Sequence, residues 1–141
     1  MNVSVGFDDR ADVVDAVIAD LKRRGHTVRA YEPGPWPEVA QAVASDVAEQ
    51  RADQGVLFCW TGTGTSMAAN KVPGVRAALA WEPWIAEGAR LWNDANVLVM
   101  SLKRTSPETA VEILDAWFAV QAPDPSEAAN IARLQDLDRH P

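Results

Sequence analysis

A single cysteine at the end of an apolar run is the residue whose position most directly suggests chemistry. Cys59 closes the segment 55–59, Gly-Val-Leu-Phe-Cys, which is typical of a buried strand. The loop 60–65 that follows contains two glycines, and the pattern predicts a helix over 66–71 that Val-Pro-Gly at 72–74 ends. A thiolate at this point could act as a base, although a buried strand cysteine without a role would give the same pattern.

The loop after Cys59 could stabilise negative charge. Open parallel α/β sheets bind ligands at the carboxyl ends of their strands, and free N–H groups at a helix N-terminus favour an anion or a developing oxyanion. The backbone amides from Thr61 to Thr65 are the candidate donors. Moving a proton between carbons next to a carbonyl group needs a base and donors that hold the enediolate oxygen. Cys59 and these amides could supply both.

The elements that must position these residues alternate between strand and helix. We expect strands at 2–7, 27–31, 55–59, 75–80 and 96–100. The first helix should follow Asp9, which would be its N-cap. The other helices are expected at 37–52, 66–71, 82–91, 106–120 and 127–137. This alternation predicts one α/β domain over residues 1–141, a three-layer α/β/α Rossmann-like fold with a five-stranded parallel sheet. Asp8 and Asp9 follow the first strand and would lie beside Cys59.

Composition excludes several classes of protein. The formal charge of −7 argues against a nucleic-acid or anionic-membrane partner. One cysteine among 141 residues rules out an internal disulfide and fits a reducing compartment. No apolar run reaches about 18 residues, and no leader pattern opens the chain. We therefore expect a soluble cytoplasmic protein, with no metal site and no cofactor.

Two blocks of sequence resemble the family of ribose-5-phosphate isomerase B and the galactose-6-phosphate isomerase subunits. The first block runs from Cys59 to Lys71 and continues at 74–77, Gly-Val-Arg-Ala. The second is 89–98, Ala-Arg-Leu-Trp-Asn-Asp-Ala-Asn-Val-Leu. The resemblance implies an aldose–ketose isomerase that acts on a sugar or sugar phosphate. It also implies a homodimer with its site at the dimer interface.

The resemblance suggests roles for single residues. Cys59 matches the proton-transferring cysteine, Asp8 an aspartate that binds sugar hydroxyls, and Thr61 a threonine implicated in ring opening. Asn93 matches an asparagine that reaches the substrate, across a dimer interface. The remaining candidates for substrate binding are Asp9, Trp60, Gly62, Thr63, Gly64, Thr65 and Trp92. Asp8 could instead be an ordinary turn aspartate, and Thr61 a loop hydroxyl at the helix start.

Several positions depart from the family pattern. Asp9 and Trp92 stand where the family has histidines, and Trp60 replaces a glycine. The arginines that hold the substrate phosphate align with Ser126 and Asn130, although Arg133 and Arg139 are close by. His26 precedes the second strand and His140 is near the terminus, so we expect no histidine in the site.

These departures indicate that the substrate is not an ordinary pentose 5-phosphate. A phosphate dianion is best bound by arginine and histidine donors, whereas the tryptophans would suit a sugar face or an apolar ligand. An unphosphorylated or differently substituted sugar in its open-chain form fits better. The alternatives are a non-catalytic member that binds a small molecule and a related epimerase.

Overall fold

Five strands and six helices alternate along the part of the chain that the structure describes. The computed structural model describes residues 1–139, and His140 and Pro141 lie outside it. The strands are β1 (Asn2–Phe7), β2 (Thr27–Ala30), β3 (Gln54–Cys59), β4 (Ala77–Leu79) and β5 (Val97–Ser101). The helices are α1 (Asp12–Arg23), α2 (Trp36–Ala48), α3 (Thr63–Ala69), α4 (Pro83–Asn93), α5 (Pro107–Ala119) and α6 (Ala128–Asp136). Short 3₁₀ turns, Pro125–Glu127 and Leu137–Arg139, flank α6.

The five strands form one parallel sheet in the order β2-β1-β3-β5-β4. One face is covered by α1, α4 and α5, whose buried side chains pack on Val5, Phe58 and Met100. The other face is covered by α2 and α3, which pack on Leu57 and Val99. Central strands buried on both faces are expected to be continuously apolar, and this is the pattern of β3 and β5. The predicted three-layer fold is confirmed.

Two helix starts differ from the sequence expectation. Asp9 does not cap α1, because residues 10 and 11 stay extended and Ala11 occupies the N-cap position. The Asp9 carboxylate instead accepts a hydrogen bond from the Arg10 amide. The third helix begins at Thr63 rather than at 66, because Gly62 adopts a left-handed conformation that turns the chain directly into the helix.

The C-terminal helix lies close to its predicted position, and the helices can also be compared with the length of a membrane span. α6 lies within the predicted span 127–137, with its last turn as 3₁₀ helix. None of the helices within residues 1–139 has the length and apolar character needed to cross a bilayer.

A buried carboxylate joins the edge of the sheet to α2. Asp46 is 1% exposed and accepts hydrogen bonds from Ser4 Oγ at 2.8 Å, Tyr31 Oη at 2.7 Å and Arg51 Nε at 2.9 Å. Burial by itself raises the pKa of Asp46, but these hydrogen bonds outweigh burial, so the pKa lies below its ordinary value of 3.8. Asp46 therefore stabilises the fold in its charged form.

Asp46→Asn should destabilise the protein by about 3 kcal/mol at neutral pH, because it removes a buried charge from partners that remain. The folded-state pKa of Asp46 is depressed, so its contribution is present above the unfolded value and is lost as the pH falls through the folded value. Urea unfolding at pH 7 and in acid would measure the difference. The exposed Asp15→Asn variant is the control, and an equal effect of both variants at pH 7 would contradict this account.

Candidate active site

The carboxyl ends of two neighbouring strands bring the first candidate residues together. β1 and β3 pair with Phe7 opposite Phe58, so Asp8 and Cys59 emerge side by side. The connections after these strands lead to opposite faces of the sheet, which is where open α/β sheets form a binding crevice. A cleft of about 290 Å³ opens here, lined by Asp8, Trp36, Cys59, Trp60, Thr61, Thr63 and Gly64.

Gly62 fixes the loop that faces Cys59. Its φ of +84° lies in the left-handed region, which disfavours any residue with a side chain. A Cβ atom there would lie 2.5 Å from Leu79 Cδ1 and 3.3 Å from the Met100 carbonyl. The turn directs the Gly62 amide to donate to Cys59 Sγ at 3.2 Å.

Thr65 lies behind the cysteine and not on the wall of the cleft. Its side chain is fully buried, and its Oγ1 is 3.4 Å from both Cys59 Sγ and the Gly62 carbonyl oxygen. The hydroxyl therefore contacts the proposed base from the protein side. Because the whole residue is buried, neither its side chain nor its backbone amide is exposed to the cleft.

Of the backbone amides from Thr61 to Thr65, two donate hydrogen bonds within the protein and three do not. The Gly62 amide donates to the sulfur and the Thr63 amide to Thr61 Oγ1 at 3.3 Å. The amides of Thr61, Gly64 and Thr65 have no acceptor within residues 1–139. Free amides beside a cleft are the groups that can hold a developing oxyanion.

Asp8 provides an acceptor that the protein itself leaves unused. Its Oδ1 atom is buried and has no hydrogen-bond donor within residues 1–139. Burial raises the pKa of Asp8 above its ordinary value, and the charge of Asp9 adds to this, against the backbone amides of Asp8 and Trp60. An acceptor of this kind is suited to a substrate hydroxyl. Asp9 is exposed and does not line the cleft.

Trp36 lines the cleft although the sequence reasoning did not select it. It is the first residue of α2, and it is 45% exposed. A Cβ atom on Gly64 would lie 3.0 Å from Trp36 Cε3, so the indole packs directly on the Gly64 backbone. The segment 33–37, Pro-Gly-Pro-Trp-Pro, is rich in proline, which is typical of a rigid loop. Because this segment follows β2, it lies at the carboxyl end of the sheet, as Cys59 does. That position is the signal that could have placed Trp36 in the cleft.

Trp60 separates this cleft from a second one. Its ring is 54% exposed, and Lys103 Nζ lies 4.2 Å above it in a cation–π contact. The adjoining cleft has a volume of about 350 Å³ and contains the side chains of Lys103 and Arg104. Trp60 and Thr61 line both clefts.

Trp92 and Asn93 do not reach the Cys59 cleft of their own chain. They end α4, just before the amino end of β5. They therefore lie at the amino end of the sheet, opposite the carboxyl end that carries Cys59. Trp92 packs over Gly88 and meets Trp84 edge-on at 5.8 Å. Asn93 lines a separate groove next to α6. Their predicted contact with substrate would need a second copy of the chain.

The other residues weighed in the sequence also lie away from the cleft. Ser126, Asn130, Arg133 and Arg139 belong to the C-terminal turns and α6, and none lines it. His26 lies beside the N-terminal amine and Phe118 at the amino edge of the sheet, whereas His140 falls outside the described residues. No histidine within residues 1–139 lines the cleft. The same part of the chain holds no group of three or more His, Cys, Asp or Glu side chains arranged to bind a metal ion.

Comparisons with known proteins agree with this fold. The family model described as ribose/galactose isomerase matches residues 3–136. D-erythrulose-4-phosphate isomerase of Pectobacterium atrosepticum is 30% identical over 141 residues, covering 95% of this chain and 93% of that protein. Ribose-5-phosphate isomerase B of Escherichia coli is 39% identical over 112 residues, 74% of each protein. The structure of Clostridium thermocellum ribose-5-phosphate isomerase B matches with a TM-score of 0.91 at 29% identity and covers 99% of both chains.

A Rossmann-like domain with this cleft, matched along its length, defines the class of the protein: it is an intramolecular aldose–ketose isomerase. The chain belongs to the ribose/galactose isomerase family and is a sugar phosphate isomerase of the ribose-5-phosphate isomerase B type. The resemblance drawn from the two sequence blocks is therefore confirmed.

Asp8→Asn should separate stability from activity. Because burial raises the pKa of Asp8, its charged form is disfavoured in the folded state. The penalty is complete above the folded-state pKa and disappears as the pH falls below the unfolded value. The variant should melt at a higher temperature than the wild type at pH 7, with the gap closing in acid. Its kcat/KM should fall about tenfold or more, because a charged acceptor for a substrate hydroxyl is lost. A variant that is both less stable and fully active would contradict this role.

Trp36→Ala should raise KM about tenfold with a smaller change in kcat, because it removes a wall of the cleft and not a reacting group. Gln41→Ala is the control, since this exposed side chain belongs to the same helix and does not line the Cys59 cleft. Steady-state kinetics on the best substrate would make the comparison. Equal effects of the two substitutions would show that Trp36 has no specific part in binding.

Proposed function

We propose that this isomerase interconverts an aldose phosphate and a ketose phosphate by proton transfer through an enediolate, with Cys59 as the base. The observation that carries the proposal is the Cys59 sulfur, which lies at the cleft with the Gly62 amide donating to it at 3.2 Å. A donated N–H stabilises a thiolate, which is the form that can accept a proton. No other cysteine occurs in the sequence.

The residues around the sulfur suit the other needs of the reaction. The Cys59 thiolate takes the proton from the carbon next to the carbonyl, and the electron pair of that C–H bond forms the enediolate. The free amides of Thr61 and Gly64, which line the cleft, hold the developing oxyanion. Asp8 accepts a hydrogen bond from a substrate hydroxyl. The proton of the neighbouring hydroxyl moves to the oxyanion, so that this hydroxyl oxygen becomes the new carbonyl. The thiol, which has exchanged its proton with solvent, protonates the carbon that carried the old carbonyl.

The substrate that this cleft favours is a short sugar phosphate in its open-chain form. Ring opening needs an acid and a base beside the sugar ring, and no histidine within residues 1–139 lines the cleft. A four-carbon sugar with its phosphate on the last carbon has no free hydroxyl that could close a five- or six-membered ring. The relative from Pectobacterium atrosepticum is named for D-erythrulose 4-phosphate. We therefore place a four-carbon keto-sugar phosphate ahead of ribose 5-phosphate.

The phosphate group needs cations that the C-terminal segment of the same chain does not bring to the cleft. Lys103 and Arg104 line the adjoining cleft, and Trp60 and Thr61 are common to both clefts. A substrate that extends past Trp60 would bring its phosphate toward these two side chains. An unphosphorylated sugar remains the alternative if the two cations contribute nothing.

A homodimer is part of this proposal. Family membership and the position of Asn93 at the amino end of the sheet favour a site to which a second copy contributes. Exposed indoles at Trp81, Trp84 and Trp92 offer apolar surface for such an interface. The cytoplasmic location stays a prediction from the sequence.

Conversion of a panel of sugars, followed by NMR with the wild type and Cys59→Ala, would test the proposal. The panel contains D-erythrulose 4-phosphate, D-erythrose 4-phosphate, ribose 5-phosphate and the free sugars. We expect the four-carbon phosphates to react at least about tenfold faster than ribose 5-phosphate, because ring opening is not required, and Cys59→Ala to lose about 10³-fold or more. Faster conversion of ribose 5-phosphate would refute the substrate assignment. Full activity of Cys59→Ala would refute the mechanism.

A further inference from the structure

The hydroxyl of Thr65 has one proton and two acceptors at equal distance. Its Oγ1 lies 3.4 Å from Cys59 Sγ and 3.4 Å from the Gly62 carbonyl oxygen. The side chain is fully buried, so water does not compete for the hydroxyl. The hydroxyl can therefore donate to only one of the two acceptors at a time.

Each protonation state of Cys59 favours one orientation. When Cys59 is a thiol, its S–H can donate to Thr65 Oγ1, while the hydroxyl donates to the Gly62 carbonyl. When Cys59 is a thiolate, the hydroxyl can turn to donate to the sulfur, because a charged acceptor forms the stronger hydrogen bond. The Gly62 carbonyl keeps the Ser66 amide as a donor at 3.1 Å in both states. The rotation therefore leaves no buried acceptor without a partner.

We propose that Thr65 is a positioning residue whose buried hydroxyl follows the charge of Cys59 through the reaction. This inference rests on the proposed function in taking Cys59 as the base. Before proton abstraction the hydroxyl and the Gly62 amide both donate to the thiolate. When the sulfur receives the substrate proton, the new S–H donates to Thr65 Oγ1 and the hydroxyl returns to Gly62. The sequence alone indicated a substrate contact at Thr65, whereas the geometry points to support of the base.

An ordinary structural role would give a different result. Threonine near a helix start often donates to a carbonyl three residues earlier, and Gly62 is that residue. A hydroxyl fixed on Gly62 would not respond to the charge of the sulfur. Its removal would then change stability without changing the reactivity of Cys59.

The pH dependence of Cys59 alkylation distinguishes the two roles without any sugar. Iodoacetamide labels the thiolate, and Cys59 is the sole cysteine, so labelling of the intact protein reports on this residue alone. Ultraviolet titration of the thiolate, with Cys59→Ala subtracted, gives the same quantity without dependence on reagent access. The variants are Thr65→Val, which keeps the shape and loses the hydroxyl, and Thr65→Ser, which keeps the hydroxyl. Ser4→Ala removes a buried hydroxyl that donates to Asp46, outside both clefts, and is the control.

We expect the Thr65→Val profile to move to higher pH by about one unit, which lowers alkylation near neutral pH about tenfold, because a hydrogen bond to the charged sulfur is lost. Thr65→Ser and Ser4→Ala should keep the wild-type profile. An unchanged profile in Thr65→Val, or an equal shift in Thr65→Ser, would overturn the inference. Failure of every sugar to react would overturn the proposed function and would leave these profiles as they are.

Discussion

The left-handed turn at Gly62 is the constraint on which the site depends. A side chain at that position would meet Leu79 and the backbone of Met100, so the turn also ties the loop to the two strands at the far edge of the sheet. It directs one amide to the Cys59 sulfur and starts α3 within one residue. Cys59, the donors to its sulfur and the free amides therefore occupy fixed positions before any substrate binds, which is the preorganisation that charge stabilisation requires.

The cleft combines this rigid loop with groups that lack a partner. Asp8 has a buried oxygen without a donor within residues 1–139, and its pKa is raised by burial. Such an arrangement costs stability and is common at sites that bind a ligand. The buried Asp46 shows the opposite balance, because three donors surround it and its pKa is depressed. Asp46 is therefore a structural carboxylate, whereas the Asp8 carboxylate is available to a substrate.

Much of the fold could be predicted from the sequence, because the strands are short apolar runs between glycine and proline signals. The start of α3 was placed too late, since a segment of alternating threonine and glycine resembles a loop until the turn at Gly62 is known. Cys59 and Asp8 were brought together correctly from strand order alone. The burial of Thr65 behind the sulfur could not be predicted, because it depends on where the helix starts. The sequence match grouped Trp92 with the site, whereas α4 places it at the amino end of the sheet.

The contact that brings Trp36 into the cleft could not be predicted from the sequence. The indole contacts Gly64 from α2, across a sequence distance that local patterns do not span. Contacts of this kind follow from how α2 packs on the sheet beside α3. They become visible once the tertiary structure is known, and they determine the shape of the cleft as strongly as the residues of the motif.

The most direct test of the account is the origin of the hydrogen that ends on the product. Isomerisation run to partial conversion in D₂O, with product analysed by mass spectrometry, distinguishes proton transfer from a direct hydride shift. The account predicts one deuterium at C1 of the ketose or at C2 of the aldose, and no exchange with Cys59→Ala. Product formed without deuterium would contradict an enediolate intermediate whose proton is carried by Cys59 and exchanges with solvent.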